Sequence, residues 1–304
     1  MKYVFWGTPR FAAIVLEKLL AAGIPPVVVV CNPDRPVGRK QVITAPPVKE
    51  LMRKYEVRDT KYKNVKILQP ENLASYLLPL TSLKPDLFII AAYAKIIPKE
   101  ILAIPRLGTI GVHPSLLPKY RGATPIQSAI LAGEKETGVT LFLVDEKVDH
   151  GSLLASRTYE VRGTRYEQAE GDLARLGGEL LVEILPEFVA GKIKPVEQDH
   201  AQATVTKKFT SQDGFVEPAD LARAQTEGGE IATQIDRKIR ALNPEPGVWT
   251  NVSSRYSQVL ENIGINPARG EKRVKLLETK IVDGKLKLLK IQREGGKPQK
   301  LTDK

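Results

Sequence analysis

Only one cysteine, Cys31, occurs in 304 residues, so no internal disulfide can form and a reducing compartment is the expected setting. No apolar run approaches the roughly 18 residues needed to span a bilayer, which argues against a membrane-spanning helix. Three scattered histidines and no cysteine pair make a poor zinc site, so no metal is expected. The first strand is followed by Gly7 alone, without the remaining glycines of a dinucleotide fingerprint, and NAD is not indicated. Acidic residues are outnumbered, 35 Asp and Glu against 46 Lys and Arg, which leaves a formal net charge of +11. That balance favours a polyanionic partner, although solubility alone would also account for it. Residues Met1 to Trp6 run straight into a strand, so no leader is expected and the cytoplasm is the compartment inferred.

What is present reads as an alternation of strands and helices. The length suits about two domains, and 42% hydrophobic residues can fill their cores. Residues 2–6 predict a strand, then Thr8 a helix cap with Pro9 as the first helical residue. Phe11, Ile14, Val15 and Leu19 mark the apolar stripe of that helix, and Gly23 stops it. Val27–Val30 is too uniformly apolar for a half-solvated sheet, and predicts a parallel strand covered on both faces. Asp86–Ile90 repeats the pattern. Helices are expected at about 48–55, after Pro70, after Thr124-Pro125 and over Tyr166–Val189, and further strands at 65–68, 139–144 and 153–161. The fold class is therefore α/β, with a doubly wound, mostly parallel sheet. Residues 33–47 carry three cations among glycine and proline signals and read as a long exposed loop. Composition favours a solvated surface there over a basic arm that meets phosphate.

After Gly191 the texture changes. Residues 192–206 alternate short polar and charged side chains without helical period, as a linker does. A helix is expected at about 230–241, followed by the turn Asn243–Gly247 and β-like runs at Lys272–Lys280 and Lys285–Gln292. Lys285-Leu286-Lys287 alternates basic and apolar residues, which gives a strand one wet cationic face. Residues 255–304 hold 13 Lys and Arg against 6 Asp and Glu. The division expected is a first domain over 1–190, a linker over 191–206 and a small basic β-barrel over 207–304.

The most informative stretch is Gly108 to Arg121. Period-two alternation sets Ile110 and Val112 on one face of a strand and Thr109, Gly111 and His113 on the other. Pro114 ends the ladder, so the His113 imidazole sits at a strand's carboxyl end, where open α/β sheets place their ligands. A strand-end histidine satisfied by a backbone carbonyl is the plain reading; a functional one competes with it. Asp149 follows a later strand of what reads as the same sheet and can reach His113, unless it is a solvated loop carboxylate. A carboxylate beside an imidazole makes it a better base or an imidazolium donor. Ser115 lies on a loop kinked by Pro114 and no nucleophile is obviously activated, so the pair points to group transfer onto another molecule's nucleophile.

The run His113-Pro114-Ser115-Leu116-Leu117-Pro118-Lys119-Tyr120-Arg121-Gly122-Ala123 resembles the signature of the folate-dependent formyltransferases. Residues 5–12, 34–39, 136–140 and 241–247 narrow the resemblance to the branch that formylates methionyl-tRNA; it runs to about residue 250 and thins beyond. It implies a formyltransferase domain with an OB-like carboxyl-terminal barrel, 10-formyltetrahydrofolate as donor and the α-amino group of methionyl initiator tRNA as acceptor. It further implies His113 and Asp149 as catalytic residues, and a folate region at Ala92, Tyr93, Ala94, Lys95, Ile96, Ser115, Leu116, Leu117 and Pro118. Arg35, Arg39 and Lys40 fall in the loop that inserts near the tRNA acceptor end, which reverses the reading from composition, and Lys285 and Lys287 would meet tRNA on the barrel. A monomer is expected. The rivals are a sugar-nucleotide N-formyltransferase of the same fold, or a non-catalytic tRNA- or folate-binding protein.

Two positions depart from the family. Ala94 stands where it has glycine. Gly111 stands where it has an asparagine that the resemblance implies polarises the formyl carbonyl; losing such a donor typically costs about 2.7–4 kcal/mol. Three readings are open: His113 carries the oxyanion as imidazolium, another donor such as Lys95 or His150 substitutes, or the chain is slow or changed in substrate. Replacement by a cationic donor is favoured.

Overall fold

A computed structural model of the chain describes residues 1–38, 40–59, 62–251 and 273–301. In chain order these form β1 (Tyr3–Gly7), α1 (Arg10–Ala21), β2 (Val28–Val30), β3 (Arg35–Val37), β4 (Val42–Thr44), α2 (Pro47–Arg58), β5 (Lys66–Leu68), α3 (Leu77–Leu83), β6 (Leu87–Ala91), α4 (Lys99–Leu102) and β7 (Thr109–His113). They continue with α5 (Pro125–Ala132), β8 (Glu136–Leu143), β9 (Leu153–Glu160), α6 (Tyr166–Val189), α7 (Pro218–Thr226), α8 (Glu230–Leu242), β10 (Trp249–Asn251), β11 (Arg273–Val282), β12 (Lys285–Arg293) and β13 (Pro298–Lys300). Two compact units result. One comprises Met1–Gly122, Glu136–Glu160 and Gln168–Val205; the other comprises Ala123–Lys135, Val161–Glu167 and Thr206–Lys304.

The first unit is built on a seven-stranded sheet of order β5-β2-β1-β6-β7-β8-β9. Strands β5 to β7 are mutually parallel, and the chain steps outward from β1 to β2 and β5, then returns to lay β6 and β7 on the other side. Every residue of β1 and β7 is buried, and so is all of β2, as its uniformly apolar run demands. Trp6 meets Phe88 and Tyr93 edge-on, with ring centroids 5.4 Å apart in each pair. Burial pushes the Cys31 thiol up to about 11, which makes it a small core hydrophobe rather than a nucleophile.

Two local expectations are corrected. The Thr8 hydroxyl accepts the Asn32 backbone N–H at 3.2 Å, so it joins two strand ends; Pro9 takes the cap position and α1 begins at Arg10. Thr124 holds the cap position of α5 with Pro125 as its first residue, while its hydroxyl donates to the Lys207 carbonyl instead of to the helix. Residues 33–47 are not all loop: the β-branched Val42-Ile43-Thr44 pairs antiparallel with Arg35–Val37 in a small hairpin.

In the second unit, β10-β11-β12-β13 form an antiparallel sheet among the described residues. Val274, Leu276, Leu286, Leu288 and Ile291 are buried while Lys275 and Lys285 are exposed, the alternation that the sequence predicts. Asn243, in the Asn-Pro-Glu-Pro-Gly turn, donates to the carbonyls of Ile239 and Leu276 and accepts from the Val248 N–H, tying the end of α8 to β11. No helix among the described residues is long and apolar enough to cross a membrane.

Candidate active site

His113 closes β7, its side chain 7% exposed. Its Nε2 lies 2.8 Å from the Tyr120 carbonyl oxygen, which can only accept, so that nitrogen carries hydrogen. Its Nδ1 faces the Asp149 carboxylate at 3.5 Å. Both ring nitrogens thus face acceptor oxygens. The backbone carbonyl of the plain reading stands at Nε2, and the Asp149 carboxylate stands beside Nδ1.

Asp149 arrives by an unexpected route. Strand β8 is antiparallel to β7, with Leu143 opposite Ile110 and Thr140 opposite His113. The segment leaving β8 therefore starts at the end of β7 remote from His113 and must turn back to bring Asp149 to it. Asp149 takes a left-handed backbone conformation, φ +49°, which costs a non-glycine residue on the order of 1–3 kcal/mol. Its carboxylate accepts the Gly122 N–H at 2.8 Å.

The turn after His113 is laced internally. The fully buried Ser115 donates its hydroxyl to the Lys119 carbonyl at 2.6 Å. The Thr140 hydroxyl donates to the Ser115 carbonyl and accepts the Leu117 N–H. Residues 196–205, read from composition as linker, run alongside: Thr204 accepts the N–H groups of Tyr120 and Arg121 through its hydroxyl and carbonyl. Arg121 donates to Gln198 and to the Nδ1 of His200. The His200 ring stacks on His150 at 4.1 Å, and His150 Nδ1 lies 2.7 Å from Asp145. All three histidines of the chain therefore stand in one neighbourhood. In the sequence Arg121 is marked only by belonging to the motif, and Gln198, with polar neighbours and no periodicity, by nothing.

Of the residues assigned to folate, Ala92, Ala94 and Ile96 are exposed, Ile96 by 90%, and Ala92 has φ +48°. An open, small-residue backbone beside an exposed apolar side chain suits a flat ring. The Tyr93 hydroxyl is buried without a partner, and desolvation pushes it up to about 12. Ser115 and Leu117 are inside the loop's own packing, whereas Leu116 and Pro118 are half-buried. The Lys95 ammonium donates to the carbonyls of Pro70 and Glu71 at 2.6 and 3.0 Å. Gly111 lies opposite Phe142, whose ring fills the space a side chain at 111 would need.

Among the cations assigned to tRNA, Arg35 stands on β3, 3.7 Å from Glu71, and Lys40 is exposed between β3 and β4. Arg39 lies outside the described residues. Val37, Val42 and Ile43 of the same hairpin are all more than half exposed. Lys285 and Lys287 lie on β12, with Lys287 directly across from Lys280. Like charges opposite one another oppose sheet stability. Among the described residues no group of three or more His, Cys, Asp or Glu could hold a metal.

The formyl transferase family matches residues 1–185, and the formyl transferase carboxyl-terminal domain matches residues 230–303. The methionyl-tRNA formyltransferase of Chloroflexus aurantiacus is 41% identical over 253 residues, 82% of this chain and 76% of that protein. That of Halorhodospira halophila is 35% identical over 99% of this chain and 94% of its own length. The chain belongs to the methionyl-tRNA formyltransferase family. It is an enzyme family, and the α/β domain followed by a β-rich domain is its architecture. Among solved structures, the methionyl-tRNA formyltransferase of Clostridium thermocellum superposes with a TM-score of 0.57 at 16% identity, over 96% of this chain and 98% of that one. HypX from Aquifex aeolicus, solved in complex with tetrahydrofolic acid, gives 0.62 at 18% identity; this chain spans 46% of that longer protein. At such identities the likeness is one of fold. The family works on tetrahydrofolate derivatives.

Proposed function

We propose that this enzyme transfers the formyl group of 10-formyltetrahydrofolate to the α-amino group of methionyl initiator tRNA, in the cytoplasm. The observation that carries the reading is the His113–Asp149 pair, 3.5 Å apart with both imidazole nitrogens facing acceptors. Asp149 takes a proton from the attacking ammonium, and the freed lone pair forms the N–C bond. The carbonyl electrons move to oxygen, where the His113 imidazolium balances the charge. As the C=O bond re-forms, the C–N10 bond breaks and N10 takes the His113 proton; Asp149 passes its proton to His113, and the second proton on the tRNA nitrogen leaves to solvent, which restores the pair and gives the neutral amide. Lys95 is engaged by two carbonyls and His150 by Asp145, which supports His113 itself as the oxyanion partner.

The loop at Ala92–Ile96 with Leu116 and Pro118 receives the folate. Residues 1–190 act as the catalytic domain, and 207–304, joined through 191–206, hold the tRNA with Lys285 and Lys287. Arg35, Arg39 and Lys40 meet its acceptor end. The deciding experiment offers the purified chain 10-formyltetrahydrofolate with charged initiator tRNA, free methionine or an amino-sugar nucleotide. Formyl transfer confined to the charged tRNA is expected; transfer to the sugar nucleotide alone would refute the reading.

A further inference from the structure

Between Leu143 and Gly151 little packing holds the chain: Asp145, Glu146, Lys147 and Val148 are all exposed. Yet this segment must return to His113 and keep Asp149 at a positive φ. Its far end is anchored, because Gly151 sits so close to the Leu143 carbonyl that a Cβ there would collide with it. What holds the segment at Asp149 comes from elsewhere in sequence. Gln198, 4% exposed between the exposed residues Glu197 and Asp199, sends its side-chain amide beneath the turn. Its Nε2 donates to the Asp149 carbonyl at 3.0 Å and to the Gly151 carbonyl at 2.7 Å. Its Oε1 accepts from Arg121 Nη2 at 2.6 Å and Nε at 3.2 Å.

Both amide hydrogens and the amide oxygen are therefore engaged. The reverse orientation would set the oxygen against two carbonyls and the NH2 against a guanidinium, so the partners fix a single one. The two carbonyls held flank His150, and Asp149 lies within that clamp. Arg121, in turn, follows Tyr120, whose carbonyl holds the other nitrogen of His113. One amide thus couples the turn after β7, which orients the imidazole, to the turn before β9, which orients the carboxylate.

We propose that Gln198 is a positioning residue of formyl transfer, holding Asp149 at His113 through the Asp149 and Gly151 carbonyls. The proposal rests on the function proposed above. Gln198→Glu keeps the volume and the Arg121 partner but removes both donors. Since a misplacement of about 1 Å can cost about a hundredfold, kcat should fall by roughly that factor, with KM for the folate donor unchanged. Combined with Asp149→Asn, the same substitution should cost nothing more, because its effect runs through a carboxylate already lost. The ring 15N–1H signals of His113 should move in Gln198→Glu as they do in Asp149→Asn. Gln198→Met, without the new charge, should repeat these results and stands in if the Glu variant fails to fold. Losses that multiply in the double variant, or unmoved His113 signals in a folded variant, would overturn the proposal. A parent chain inert toward methionyl-tRNA would overturn the reading of function instead, and the imidazole signals would still decide the role of Gln198.

Discussion

Phe142 lies across from Gly111 in the β7–β8 ladder, and its ring Cζ stands 2.6 Å from where a Cβ on Gly111 would be. The ring is buried and flanked by the sheet, so glycine at 111 and phenylalanine at 142 are a matched pair. Overpacking of this kind costs typically 1–3 kcal/mol. Gly111→Asn should lower Tm accordingly and leave turnover at or below the parent's. Gly111→Asn with Phe142→Ala should recover turnover relative to Gly111→Asn alone, since the amide then has room. Thermal melts and kcat at saturating folate and tRNA check both; a faster single variant would show that the ring yields freely.

His113→Ala and Asp149→Asn should each reduce kcat by about two orders of magnitude or more, because both serve one proton inventory. The double variant should be little worse than either single one. Near-parent turnover in one of them would remove that residue from the mechanism.

Lys95 gives a sharper contrast. Its ammonium holds the carbonyls of Pro70 and Glu71, so Lys95→Met should cost about 1.5–3 kcal/mol of stability through two charged hydrogen bonds. Turnover at saturation should stay within about threefold of the parent, since donor loss at an oxyanion would instead cost about a hundredfold or more. A drop of that larger size would make Lys95 the oxyanion donor.

For the basic face, Lys285→Glu with Lys287→Glu should raise KM for tRNA and spare that for folate. In the parent, KM for tRNA should climb with salt as released counterions oppose binding, and the slope should be shallower in the double variant. An equal salt response in both would exclude these lysines from the tRNA contact.

How far the chain could be read before folding depends on the range of the forces involved. Short-range rules were enough for β1, β2 and β6, whose unbroken apolar runs can only be covered on both faces. They also ended β7 at Pro114, which put His113 at a strand end, and alternation set Lys285 and Lys287 apart from Leu286 and Leu288. The motif around His113 carried the family, since its residue types recur in order whatever the fold around them does.

Local rules misassigned Thr8, because a hydroxyl near a helix start can cap or can bond a distant backbone group, and only the neighbours decide. The active-site contacts are of that second kind. Asp149 reaches His113 although β8 runs antiparallel and carries the chain away first. Phe142 faces Gly111 through a cross-strand register that periodicity does not specify. Gln198 clamps Asp149 from a stretch whose polar neighbours resemble a linker. Sequence periodicity determined which face each side chain takes; which partner it meets there was decided by strand register and chain return, and those are properties of the packed molecule.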